Sequence, residues 1–115
     1  MTDPRPRVQG TPPEVVGVAC TACHHPMPTP RPACAACGGP VAEARFGPAG
    51  VIWSSTVVRI PVGDRQPPYA LAYVDLEDGP RVLAHVAGAV EAPAVGSAVE
   101  LVAPVDGDVT VEVIA

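Results

Sequence analysis

Four cysteines in two pairs constrain this chain more than any other feature. Cys20-x2-Cys23 is followed, after ten intervening residues, by Cys34-x2-Cys37. A C-x2-C spacing sets two sulfurs on one tight turn, and two facing turns supply four thiolates at the corners of a tetrahedron. Gly38 and Gly39 behind the second pair let the backbone wrap around the sulfurs. Prolines at 26, 28, 30 and 32 each remove a backbone donor, so no helix fits between the pairs. The pattern predicts a structural zinc site with Cys20, Cys23, Cys34 and Cys37 as ligands. Four thiolates fill the shell and leave no position for Lewis-acid chemistry. The ion contributes folding free energy to a segment too small to fold alone.

Three other chemistries use similar letters. Cys20-Thr21-Ala22-Cys23-His24 spells a c-type haem attachment motif, with Met27 close by, but the second pair would then be idle. Iron in place of zinc gives a rubredoxin-like electron carrier, yet about 75 residues follow the cysteine module here. A redox dithiol wants a helix N-terminus to lower a thiol pKa, which the prolines deny. His24 and His25 could stand in as ligands, but four sulfurs already complete the shell. They read as exposed loop histidines.

Charge narrows the partners. Seven Arg and no Lys face twelve Asp and Glu, for a net charge of −5. Such a surface repels phosphate backbones and anionic lipid, which argues against nucleic-acid and membrane-surface binding. No apolar run reaches the roughly 18–20 residues that span a bilayer. The polar, Pro-rich start, Met1 to Pro13, has no secretory h-region. A cytoplasmic setting, in which thiols stay reduced, is therefore expected.

Texture divides the 115 residues into three stretches. Residues 1–14 read as a disordered or extended Pro-rich tail, 15–40 as the cysteine module, and 41–115 as a β-barrel, with a seam at Gly38-Gly39-Pro40. Strands are expected at Val51–Ile60, Tyr69–Glu77, Arg81–Val86, Ala98–Ala103 and Val109–Ile114, with Ala42–Phe46 as a lead-in. Alternation puts Ala70, Ala72, Val74 and Leu76 on one face, and Val82, Ala84 and Val86 on another. Asp78-Gly79 is a hairpin turn. Five short strands suit a small closed barrel, which leaves no open sheet edge. Four aromatics in a Val/Ala-rich chain make a lean core, so a metal is a welcome support.

Beyond this reading lies a resemblance. The stretches ACTACHHPMPTPRPACAACGG, GPAGVIWSSTVVRIP, PPYALAYVDLEDGPRVLAHVAG and VGSAVELV are similar to those of the acyl-CoA-associated zinc-ribbon/OB-fold family, formerly a domain of unknown function. The likeness implies a mainly β fold: a rubredoxin-like zinc ribbon followed by a five-stranded OB-fold barrel. It further implies a non-catalytic accessory subunit that binds a thiolase-fold enzyme and helps shape its CoA-thioester site. A hetero-oligomer with two copies of each subunit is the implied assembly. The alternative is a scaffold for a polyketide-type or hotdog-fold hydratase partner, without CoA contact. Family members commonly begin with a longer helical segment, whereas 19 Pro-rich residues precede Cys20 here, which sets contacts through such helices aside.

No Ser–His–Asp or paired-carboxylate spacing stands out, so independent catalysis is not expected. His85 falls on the face opposite Val82, Ala84 and Val86, outside the barrel core. Contact with CoA phosphates would need arginine forks. Arg31 between the knuckles and Arg65 in the loop PVGDRQPPY are the candidates. Arg59 near the end of the long strand and Arg81 at a strand start are further cations of this kind, and each of the four could equally be a solubilising charge, Arg65 pairing with Asp64 for instance. Trp53 is either a core anchor or part of an exposed partner patch. Strict alternation would place it on one face with Val51, Ser55, Val57 and Arg59.

Overall fold

The computed structural model describes residues 4–114, and the part of the expected tail at residues 1–3 lies outside them. Its first sheet is built on one central strand. β1 (Arg7–Gln9) and β3 (Pro26–Met27) pair with β2 (Glu14–Cys20) along one edge, and β4 (Val41–Phe46) pairs along the other, all antiparallel. Two expectations are corrected here. The tail is not without structure, because Arg7–Gln9 forms a hairpin with β2. Its prolines avoid the ladder: Pro4 and Pro6 precede the paired residues, and Pro12 and Pro13 lie in the turn after Gly10. Val41–Phe46 is no mere lead-in either, since all six residues pair with β2.

β5 (Ala49–Val58), β6 (Tyr69–Leu76), β7 (Arg81–Val86), β8 (Ala98–Val105) and β9 (Asp108–Val113) form a closed barrel in the order β5-β6-β7-β9-β8. These are the five expected strands, with ends shifted by one or two residues in all but β7. Neighbours pair antiparallel except β7 and β9, whose parallel pairing of His85 with Thr110 and Val86 with Val111 closes the barrel. The inward residues are the expected ones: Ala70, Ala72, Val74 and Leu76 on β6, and Val82, Ala84 and Val86 on β7.

One core serves both sheets. Val15 of β2 and Phe46 of β4 are buried in the same cluster as Ile52, Val74, Leu101 and Val111 of the barrel. Gly79 lies against Phe46, so close that a Cβ there would meet the ring at 2.9 Å. A smaller cluster of Val18, Cys20, Met27 and Cys34 sits at the far end of the first sheet. Among the described residues no helix is long and apolar enough to cross a membrane.

Candidate metal centre and the barrel surface

The cysteine pairs fold as two matching knuckles. In the first, the amides of Ala22 and Cys23 donate to Cys20 Sγ at 3.4 and 3.3 Å, and the His24 amide donates to the Cys20 carbonyl at 3.0 Å. In the second, Ala36 and Cys37 donate to Cys34 Sγ at 3.3 and 3.4 Å, and Gly38 to the Cys34 carbonyl at 2.8 Å. The first cysteine of each pair is buried and the second exposed. β2 delivers Cys20 and the turn after it delivers Cys23, while the backbone bond from Cys34 to Gly39 closes the second knuckle.

All four sulfurs lie within 4.8 Å of one another, with Cys20–Cys37 at 3.5 Å and Cys23–Cys34 at 3.7 Å. Sulfurs bound about 2.3 Å from one tetrahedral ion are about 3.8 Å apart, so the cluster has the dimensions of a four-thiolate shell. A metal such as zinc fits these donors. Gly39 backs the cluster: a Cβ there would lie 3.2 Å from Cys37 Sγ and 3.3 Å from Cys20 Sγ. Electrostatics point the same way. The Cys23 amide, against burial and with help from Ala22, draws the Cys20 thiol down to about 6. At Cys37 the Gly39 amide favours the thiolate, but the neighbouring sulfurs of Cys20, Cys23 and Cys34 oppose it and push that thiol up to about 12. Ionising all four together calls for a cation among them.

The other candidates are dispersed. Arg31 is exposed on the turn between the knuckles and has no ion-pair partner among the described residues. Arg65 does not pair with Asp64. Its Nη2 donates to Asp108 Oδ2 at 2.9 Å, across from the β5–β6 loop to the start of β9. Trp53 is no core anchor, being 51% exposed. It follows outward Val51 and inward Ile52, and a β-bulge comes at this point: pairing with β6 steps from Ile52–Val74 to Ser54–Tyr73, leaving Trp53 as the extra residue. The bulge shifts the alternation beyond it, so Ser55 turns in and donates to the Pro93 carbonyl. Arg31, Arg65 and Trp53 do not come together at one site.

Two arrangements escaped sequence reasoning. Asp108 gathers Arg5 Nη1 at 3.1 Å, Arg65 at 2.9 Å and His85 Nε2 at 3.5 Å, from three separate stretches of chain. Arg5, His85 and Asp108 border a cleft of about 280 Å³ between the N-terminal segment and the outer barrel wall. Burial and then the Arg65 charge lower the His85 pKa, with Asp108 opposing. Nothing in the sequence singles out Asp108. The second arrangement is on the outer wall: Trp53 meets Tyr73 edge-on at 6.3 Å, and Arg81 lies 3.7 Å over the indole, clamped by Asp75 through bonds of 2.6 and 3.1 Å. Here the alternation of β6 and β7 did carry a signal, since Tyr73 occupies a position opposite the apolar set.

Comparison with known proteins adds to this geometry. The family model described as the C-terminal OB-fold domain of ChsH2 matches residues 43–103. Among solved structures, a chain of the Ltp2-ChsH2(DUF35) aldolase superposes with a TM-score of 0.68 at 24% identity, covering 87% of this chain and 84% of that one. No curated protein matches.

Proposed function

The chain belongs to the ChsH2 C-terminal OB-fold family, and from that premise we propose that it is a non-catalytic accessory subunit of a thiolase-like enzyme acting on acyl-CoA thioesters. The observation that carries the reading is the family match across most of the barrel. A two-module fold like that of a chain from the Ltp2-ChsH2(DUF35) aldolase supports it. In this reading zinc is structural. Four thiolates hold it, substrate finds no free coordination position, and the ion's contribution is to fold the ribbon. Carbon–carbon bond chemistry belongs to the partner. The small subunit docks on it in a hetero-oligomer, with two copies of each chain, in the cytoplasm.

Direct CoA contact rests on Arg31, whose guanidinium is exposed. Arg65 is engaged by Asp108 and Trp53 by Arg81. Those engagements favour docking without CoA contact from the barrel, which is the second reading.

A tagged pull-down from native lysate, with co-eluting proteins identified by mass spectrometry, tests the proposal. A thiolase-fold protein recovered in stoichiometric amount is the expected result. A clean monomer, from cells that express the pathway, overturns it. With the complex in hand, Arg31→Ala separates the two readings: lost activity in an intact complex means CoA contact, and unchanged activity means scaffolding.

A further inference from the structure

The outer wall of the barrel carries an apolar band where an antiparallel sheet facing water is expected to be polar. Val51, Trp53, Tyr73 and Leu83 are each about half exposed, at 47%, 51%, 47% and 50%. They adjoin one another across three strands: Tyr73 stands opposite Leu83 in the β6–β7 register, and Trp53 leans edge-on against Tyr73. Beside them a groove of about 290 Å³ runs along Ser54, Thr56, Leu71 and Tyr73. Trp53 shares the outward face of Val51, and Arg81 and Asp75 hold it there. An indole and a guanidinium fixed in advance lose little rotamer freedom when a partner arrives. Trp, Tyr and Arg are also the residues that dominate binding at interface centres.

Charge selects the occupant. Around the barrel from Val51, the register leads to Ala98 on β8 and then to Glu100, which stands directly opposite Glu112 on β9. Like charges in opposed positions weaken a sheet. Among the described residues neither glutamate has an ion-pair partner, while the charge of Arg81 is already matched by Asp75. The band therefore ends in two uncompensated carboxylates. A second copy of this chain, at net −5, would bring more acid to them, and phosphate-bearing ligands would be repelled.

We infer that the outward face of β5, β6 and β7, bordered by Glu100 and Glu112, is the face on which the enzyme subunit docks, through an apolar centre and Lys or Arg side chains set against the two glutamates. The inference rests on the accessory-subunit reading and adds the surface to it.

The test mixes the full-length, zinc-loaded chain with the purified thiolase-fold protein that it recovers from lysate. Titration calorimetry and stopped-flow mixing then compare the wild type with Trp53→Ala, Leu83→Ser and the double variant E100Q/E112Q. Leu83→Ser lies off the bulge and decides the matter should Trp53→Ala disturb the fold. Expected are a loss of affinity of tenfold or more for Leu83→Ser at unchanged melting temperature, and for E100Q/E112Q a slower association with a flatter salt dependence. The double variant alone, freed of opposed charges, should melt no lower than the wild type. Wild-type affinity in Leu83→Ser, with the wild type itself binding, overturns the face and leaves the accessory-subunit reading standing. Failure of the wild type to recover any thiolase-fold protein overturns both. A homodimer that Leu83→Ser dissolves also overturns the inference, because the occupant is then a second copy.

Discussion

His24 and Gly38 hold the same place in their knuckles, each just after the second cysteine, and both are left-handed, with φ of 66° and 76°. Glycine adopts that conformation freely, whereas a side chain there costs roughly 1–2 kcal/mol. Part of the difference returns through the greater freedom of an unfolded glycine, about 0.5–1 kcal/mol. His24→Gly should therefore stabilise the zinc-loaded chain by about 0.5–1 kcal/mol. Chemical denaturation with zinc in excess measures it, and a lower stability would mean that the imidazole makes a compensating contact. Residue-level chemistry of this kind was legible wherever it is local. The four clustered cysteines declare themselves by spacing, because each pair needs only its own turn. The bulge at Trp53 was not legible, since it depends on how β5 meets β6 and not on the letters of β5 alone. Nor was Asp108, whose partners lie 103, 43 and 23 positions away in the chain.

At the level of elements, the barrel was easier to read than the ribbon sheet. Barrel strands alternate because one face meets the core and the other meets water, and that period survives in the sequence. β2 shows no such period: Val15, Val16, Gly17 and Val18 are all buried, as expected of a strand covered on both faces. β1 and β3 are short and stand beside prolines, so pairing with β2, rather than propensity, makes them strands. Gly17 shows how tightly that pairing is drawn. A Cβ at Gly17 would stand 2.1 Å from the Met27 carbonyl oxygen and 2.9 Å from the Pro28 carbonyl carbon, both rigid backbone. Gly17→Ala must push β3 away from β2 and should cost about 1–3 kcal/mol. Because Cys20 ends the same strand, metal affinity should fall too, which a cobalt titration read by its thiolate absorption can follow. Wild-type stability and affinity in this variant would show that β3 can shift without disturbing the ribbon.

On the scale of the molecule, two junctions among the described residues join the ribbon sheet to the barrel. Val15 and Phe46 join them through the shared core. The second place is Asp108, at the start of β9, where Arg5 arrives from ahead of β1, Arg65 from the β5–β6 loop and His85 from β7. Arg5 Nη1 also donates to the Asp106 carbonyl at 2.7 Å, tying the N-terminal segment to the β8–β9 turn. Acid should loosen this junction in two steps. Burial raises the Asp108 pKa, but hydrogen bonds from Arg65 and Arg5 outweigh it and hold the carboxyl below its ordinary 3.8. The His85 imidazole lies below its ordinary 6.5. Both depressions mean that the unfolded chain binds more protons as pH falls, so each contributes stability at neutral pH that acid removes. His85 acts first: its share is complete above 6.5 and is lost as pH falls toward the depressed folded value. Asp108 follows below 3.8. His85→Gln should thus flatten the pH dependence of stability just below 6.5. Asp108→Asn removes the carboxylate that favours the imidazolium and leaves the charge of Arg65 in place. It should lower the His85 pKa further, while the wild-type value stays below 6.5. An NMR titration of the His85 imidazole decides: a value that rises in Asp108→Asn would mean that Asp108 does not govern the charge at this junction.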